Sequence, residues 1–364
     1  MEQKISSIQF TVLVFMNTLG TAIIFIPTIA TRYGRENGWI TVIFATLLGM
    51  VFILWLTTLI GQEDDTNFFK IMDNRVGKLI SYCLILLMVS FIFFTTFANI
   101  WSIAQFVSLQ ILMGTPPQVL ALISTFTGLI AVRYGLEVIV RSAEIFFPFT
   151  MLSLTLLALL VWPEAQLIRV QPVMQLNQAA TFVGVLPVIA LTYMELIVML
   201  VVLPHVNDLR QAKKAFLIGG GLAGFCIIIV TFAAIAVLGV DGTVRHAYSI
   251  YVLGQNIQIA EFFERIEVLV AFIWFITIFF KVSTCFYFLS IALQHMLKVK
   301  NYHSLTVPLG MILLATAMTN LPNIFYDFEM MNSTYLILSY ITGLTVATVL
   351  SLAMLIRKYK EKVK

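Results

Sequence analysis

NTLGTAIIFIP, residues 17–27, lies inside the first long apolar run of the chain, yet it carries an Asn, two Thr, a Gly and a Pro. A simple membrane anchor would hold Leu and Ile there. Gly and Pro both weaken a helix. In hydrocarbon, each backbone N–H or C=O freed by a break costs on the order of several kcal/mol. Such a break persists only where a ligand, an ion, water or a neighbouring helix satisfies those groups. A half-helix N-terminus also carries partial positive charge, which suits a carboxylate. Two readings follow. The stretch is the floor of a pocket for a small polar solute, or Gly20 and Thr18 simply let helices approach closely.

The surrounding chain is built to match. Its 364 residues are 60% hydrophobic and 11% charged, with a mean hydropathy of +0.98. Apolar runs of about 20 residues recur throughout. This describes an all-α polytopic membrane protein forming one membrane domain over residues 1–364. Ten transmembrane helices are expected, at 8–30, 39–61, 79–110, 117–134, 143–163, 183–203, 214–240, 265–292, 304–321 and 334–356. Of the 22 Lys and Arg, 16 fall at the termini and in the connections on the same side, and 5 fall on the other. The remaining one, Lys281, is inside the eighth span. The positive-inside rule then puts both termini in the cytoplasm.

The net charge of +4 mostly reflects this bias, so it is no argument for nucleic acid. The basic tail RKYKEKVK, residues 357–364, suits anionic lipid. Cys83, Cys226 and Cys285 all lie in apolar runs and read as small core residues. CxxC and HExxH are absent and the four histidines are scattered, so no metal or cofactor is expected. Without a nucleophile–base pair, an enzyme is not expected either. The first apolar run is long and lacks a small-residue cleavage site, so no cleavable signal peptide is expected. Residues 164–182 and 245–263 mix apolar and polar side chains, as short amphipathic helices on the outer face would.

Ten spans divide into five plus five, and an odd number per half gives the halves opposite orientations. That is the arithmetic of an inverted repeat, with repeat one at about 8–163 and repeat two at about 183–356. The first span of the second half is interrupted too. It holds Pro187, the polar cluster Thr192-Tyr193-Met194-Glu195, and Pro204.

Glu195 and Lys281 lie deep in apolar surroundings, where a lipid-facing charge costs roughly 2.5–3.5 kcal/mol or more. Both therefore should face the interior, near each other or near one cavity. Lys281 suits a ligand carboxylate, or the place where other transporters hold a sodium ion. Glu195 suits a ligand amine, a proton exchange, or Lys281 itself. A purely structural ion pair remains the alternative. The expected ligand-bordering set is Thr18, Gly20 and Thr21 in span one; Thr192, Tyr193 and Glu195 in span six; and Thr277 and Lys281 in span eight. Asn99, Trp101 and Gln105 in span three are weaker marks of a cavity wall. The run Glu264 to Glu267 suits a helix N-terminus.

With these residues in view the chain resembles a known family. NTLGTAIIFIP followed by GWITVI, the PVIALTYMELIVMLVVLPHV of span six, and the ERIEVLVAFIWFITIFFKVSTCFYF of span eight look like the B subunit of the spore germinant receptors. These are the endospore germination permease-like proteins of spore-forming Bacilli. The resemblance covers essentially the whole chain and rests on the order and spacing of loose motifs. It implies the amino acid–polyamine–organocation superfamily and its LeuT-type five-plus-five fold, with helices 1 and 6 broken. It implies a nutrient-sensing subunit of the spore inner membrane, recognising an amino acid or sometimes a sugar or nucleoside. Its implied partners are an A subunit, which spans the membrane, and a C subunit, which is a lipoprotein. A proton-coupled amino-acid permease is the alternative on the same fold. Gly20 matches a family glycine that borders the ligand. Lys281 falls at or beside a position that is often Thr, so a cation there is a departure. Leu203-Pro204-His205 resembles a family Leu-Pro-Glu-His turn but lacks the Glu, so no role of that acid carries over.

Overall fold

A computed structural model describes residues 5–59, 67–173, 178–256, 265–320, 330 and 333–363. Helix α1 (Ser7–Leu19) starts on a capping box: the Gln9 amide donates to Ser6 Oγ at 3.2 Å, and the Ser6 amide donates to Gln9 Oε1 at 3.0 Å. Two of the orphan N–H groups of a helix start are satisfied this way. The helix stops at Gly20, where φ is −31° and ψ is −85°. The chain resumes as α2 (Ala22–Gly34), which contains Pro27. The expected first span is therefore two helices.

Helix α3 (Gly38–Thr58) leads to the short α4 (Phe68–Val76) and then the long α5 (Lys78–Phe106), which ends in a π-helical turn at Val107–Ile111. Next come α6 (Pro117–Tyr134) and α7 (Leu136–Val161). The sixth expected span is broken as well. It consists of α8 (Gln178–Val183), α9 (Val185–Thr192), and 3-10 turns at Met194–Leu200 and Leu203–His205. The rest is α10 (Leu209–Arg245), kinked at Gly239; α11 (Ser249–Asn256); α12 (Glu267–Leu297); α13 (His303–Asn320); and α14 (Thr334–Val363).

Eight helical stretches among the described residues are long and apolar enough to cross a bilayer, and α1 and α13 are shorter apolar helices. This is a multi-pass membrane protein. Burial sorts the helices. In the 179–200 stretch 89% of the most apolar window is buried, and in α12 72%. For α6 and the stretch containing α7 the figure is 28%. The broken segments and α12 therefore form the centre, and α6 and α7 form a rim. On that rim Phe126, Ile123, Phe149 and Leu159 are exposed, as lipid-facing side chains should be. Helix α10 covers α1, α2 and α3, while α12 packs against α1, α5, α6 and α7.

One short backbone link ties the start of the chain to the end of the broken sixth span. The Ile5 amide donates to His205 O at 2.9 Å and the Asn207 amide to Ile5 O at 3.1 Å. Together they make an isolated parallel bridge between Ile5 and Val206.

Of the two expected outer segments, 164–182 contains the end of one 3-10 turn (Trp162–Glu164), a second (Leu167–Val170), and α8 at its end. The second contains α11. Residues 174–177 and 257–263 of these segments, together with Glu264, lie outside the described residues. Glu267 does sit in the first turn of α12. The basic tail continues α14 as helix to Val363.

Candidate functional site

The break after α1 is set by local competition for the backbone. Thr18 Oγ1 donates to Val14 O at 2.8 Å, and Asn17 Nδ2 donates to Leu13 O at 3.0 Å and to Thr284 Oγ1 at 3.2 Å. Such back-bonding often bends helices, and the glycine that follows permits the departure. Thr21, at the start of α2, donates to Asn99 Oδ1 on α5 at 2.6 Å. The Asn99 amide in turn donates to Thr95 O at 2.7 Å.

The second break places Glu195 at the centre. Lys281 comes from α12, passes Gly20, and forms an ion pair with Glu195 Oε2. The Tyr335 hydroxyl, from α14, donates to Glu195 Oε1. All three side chains are buried, with relative exposures of 4% for Glu195, 1% for Lys281 and 3% for Tyr335. Three segments thus meet on one carboxylate, the second break, α12 and α14, and the first break packs on the Lys281 stem. Among the described residues no other hydrogen-bond partner reaches Lys281 Nζ, so part of its donor capacity is unused.

Beside this cluster is a cavity of about 20 Å³, room for roughly one water molecule. Thr21, Thr95, Asn99, Ser102, Glu195 and Tyr335 supply its polar wall, and Phe94, Ala98, Leu191 and Met330 its apolar one. The cavity wall offers a carboxylate, hydroxyls and an amide to a small polar solute, and the carboxylate is paired with the Lys281 ammonium. No nucleophile–base pair is part of it. No group of three or more His, Cys, Asp or Glu side chains able to hold a metal occurs among the described residues.

The expected site residues divide. Thr21 and Glu195 line the cavity, Lys281 is paired with Glu195, and Gly20 abuts the Lys281 stem. Thr18, Thr192 and Thr277 instead donate to their own helices, Thr192 to Val188 O at 2.5 Å and Thr277 to Ile273 O at 2.8 Å. Tyr193 points the other way, its ring lodged against Gly49 of α3 and its hydroxyl against Gly224 of α10. That hydroxyl donates to Gly220 O at 3.4 Å. Of the span-three marks, Asn99 lines the cavity, and Trp101 and Gln105 are buried outside its wall. Tyr335, Thr95 and Ser102 are additional wall residues that the sequence reading does not single out.

The family model described as "Spore germination protein" matches residues 4–324. Spore germination protein KB of Bacillus subtilis (strain 168) is 25% identical over 325 residues, covering 87% of this chain and 85% of that protein. Spore germination protein YndE of the same organism is 22% identical over 305 residues, covering 82% of each. Among solved structures, the chain is similar to MhsT in complex with L-phenylalanine, at a TM-score of 0.72 and 14% identity, with 94% of this chain and 89% of that one covered. It is also similar to Mhp1, a nucleobase-cation-symport-1 family transporter in a closed conformation with bromovinylhydantoin bound. There the TM-score is 0.64 at 13% identity, with 94% and 78% covered. These two likenesses give the fold, that of LeuT-type transporters. The chain belongs to the spore germination protein family.

Proposed function

We propose that this protein is the solute-sensing B subunit of a spore germinant receptor, binding a small nutrient, an amino acid, at the two helix breaks. It works in the spore inner membrane with both termini in the cytoplasm, and its ten spans form two inverted five-helix repeats. Its partners are the membrane-spanning A subunit and the lipoprotein C subunit. The observation that carries the reading is the buried Lys281–Glu195–Tyr335 cluster, which joins both breaks to α12 and α14 beside a polar cavity.

The chemistry fits a zwitterion. An α-amino acid placed between the two side chains offers its ammonium to Glu195 and its carboxylate to Lys281, leaving every buried charge partnered. A solute with only one of these charges leaves one protein charge without a mate. The amino-acid complex of the fold neighbour MhsT supports the same class. The cavity of about 20 Å³ is too small for such a solute, so binding requires the breaks, α5 and α14 to separate. Binding therefore selects a different arrangement of the bundle, and that arrangement is what the partner subunits read.

The test is binding of a panel of L-amino acids to purified protein, followed as ligand-dependent thermal stabilisation, with the E195Q/K281M double variant beside it. Stabilisation by at least one amino acid, abolished in the double variant, is the expected result. An unchanged response in the double variant would remove the cluster from the site.

A second reading is a proton-coupled amino-acid permease, favoured by the transporter fold and the buried Glu195. Uptake of a labelled amino acid into proteoliposomes separates the two. Sustained accumulation by this protein alone supports the permease.

A further inference from the structure

A second cavity, of about 570 Å³, lies far from the helix breaks in sequence and composition. It sits where α4, the start of α5 and the end of α12 meet, on the face that carries most of the basic residues. Lys70, Lys78 and Lys298 line it, with Asp73, His295 and Tyr82. Among the described residues three lysines and one acid line it. The acid is already engaged, because His295 Nε2 lies 3.1 Å from Asp73 Oδ2. Among the described residues the ammonium groups of Lys78 and Lys298 make no hydrogen bond or ion pair, and the Lys298 backbone N–H donates to Gln294 O. Lys298 is held at the cavity by a left-handed backbone, φ 53° and ψ 35°, that closes α12. Tyr82 is fixed by donating to Met296 O at 2.7 Å.

Exposed apolar residues flank two of the lining lysines in the chain. Leu79 and Ile80, next to Lys78, are 81% and 49% exposed, and Leu297, next to Lys298, is 59% exposed. A lysine-lined cavity with exposed apolar residues next to its lysines in the chain, at the end of transmembrane helices, matches an amphiphile with an anionic head. Soluble proteins rarely leave such leucines open, whereas acyl chains cover them.

We propose that this cavity binds a phosphate-bearing anion through Lys78 and Lys298, and that the exposed apolar residues flanking these lysines make its source a phospholipid headgroup. The lysines supply charge-assisted contacts to phosphate oxygens, and Leu79, Ile80 and Leu297 hold the first carbons of the acyl chains. Lipid bound here would bridge α4, α5 and α12, joining the cytoplasm-side end of α12 to its neighbours.

The test is native mass spectrometry of the full-length protein in neutral detergent, with phosphatidylglycerol, phosphatidylcholine or inorganic phosphate added in separate arms. The variant is K78Q/K298Q, with K213Q/K214Q on α10 as the control for general loss of positive charge. Two lysines at an anionic headgroup predict a loss of phosphatidylglycerol affinity of about 30-fold in K78Q/K298Q, with K213Q/K214Q unchanged. Equal unfolding temperatures without added lipid show that the variant is folded. Binding of inorganic phosphate but not of phosphatidylglycerol, with the same lysine dependence, keeps the anion site and moves its source to solution. Equal retention of phosphatidylglycerol and phosphatidylcholine, no binding in any arm, or wild-type retention by K78Q/K298Q, overturns the proposal. The E195Q/K281M variant should keep its lipid, so this result stands apart from the solute reading.

Discussion

The side chain of Lys281 occupies the room that Gly20 leaves by having no β-carbon. A Cβ at residue 20 would lie 2.8 Å from Lys281 Cδ and 3.1 Å from its Cβ. The break in the first span and the buried cation are therefore one packing unit. The lysine reaches Glu195 only because it can pass this close to the backbone of the α1–α2 junction.

Gly20→Ala is expected to push the lysine stem aside and weaken the ion pair. Overpacking of this kind costs about 1–3 kcal/mol. Thermal unfolding in detergent measures it. In a double-mutant cycle with Lys281→Ala the two losses should be less than additive, because truncating the lysine removes the clash. Strict additivity would separate the two residues.

Glu195→Gln leaves a buried ammonium without its counter-charge, and Lys281→Met does the same to the carboxylate. Each single change is expected to cost about 3–5 kcal/mol, with much of that recovered when both are made together. Chemical denaturation of the three variants reads the pattern. A double variant as unstable as the sum of the singles contradicts a paired arrangement.

Tyr335→Phe removes the donor to Glu195 Oε1 and keeps the ring against Phe91 and Phe94, whose centroids lie 5.6 Å and 5.9 Å away. An under-satisfied buried acceptor costs about 1–3 kcal/mol. Lower stability and weaker solute binding should appear together in calorimetry. A neutral effect on both would make the hydroxyl dispensable.

Gly49→Ala tests a residue next to the site in sequence but not in space. The added methyl would sit 2.2 Å from the Tyr193 ring, which has no flexible end to give way. Loss of about 1–3 kcal/mol of stability is expected, with solute affinity in the folded fraction unchanged. A selective loss of affinity would bring Tyr193 back to the cavity wall.

Much of this centre was legible in residues 17–27 and around Glu195. Gly20 beside two threonines marks a helix that cannot run on, and two charges in apolar surroundings must find each other. The identities of the lining residues were less accessible. Thr18, Thr192 and Thr277 have the same hydroxyl as Thr21 and Thr95, and whether it turns to the helix backbone or to a cavity is decided by neighbouring helices. Tyr193 and Glu195 are two positions apart, so they project to different faces. Gly49 and Gly224, distant in the chain, make the socket that draws the tyrosine away. Tyr335 meets Glu195 across 140 residues. In its own context, TYLIL, it looks like any tyrosine at a membrane surface.

The bridge between Ile5 and Val206 has a mechanical consequence. A fluorophore or tag attached just ahead of Ile5 hangs from the peptide that follows the second discontinuity, so it rides with that segment instead of reporting on a loose tail. Shortening the chain past Ile5 would unhook that segment, and its first symptom should be faster amide exchange at Asn207, well before the bundle as a whole comes apart.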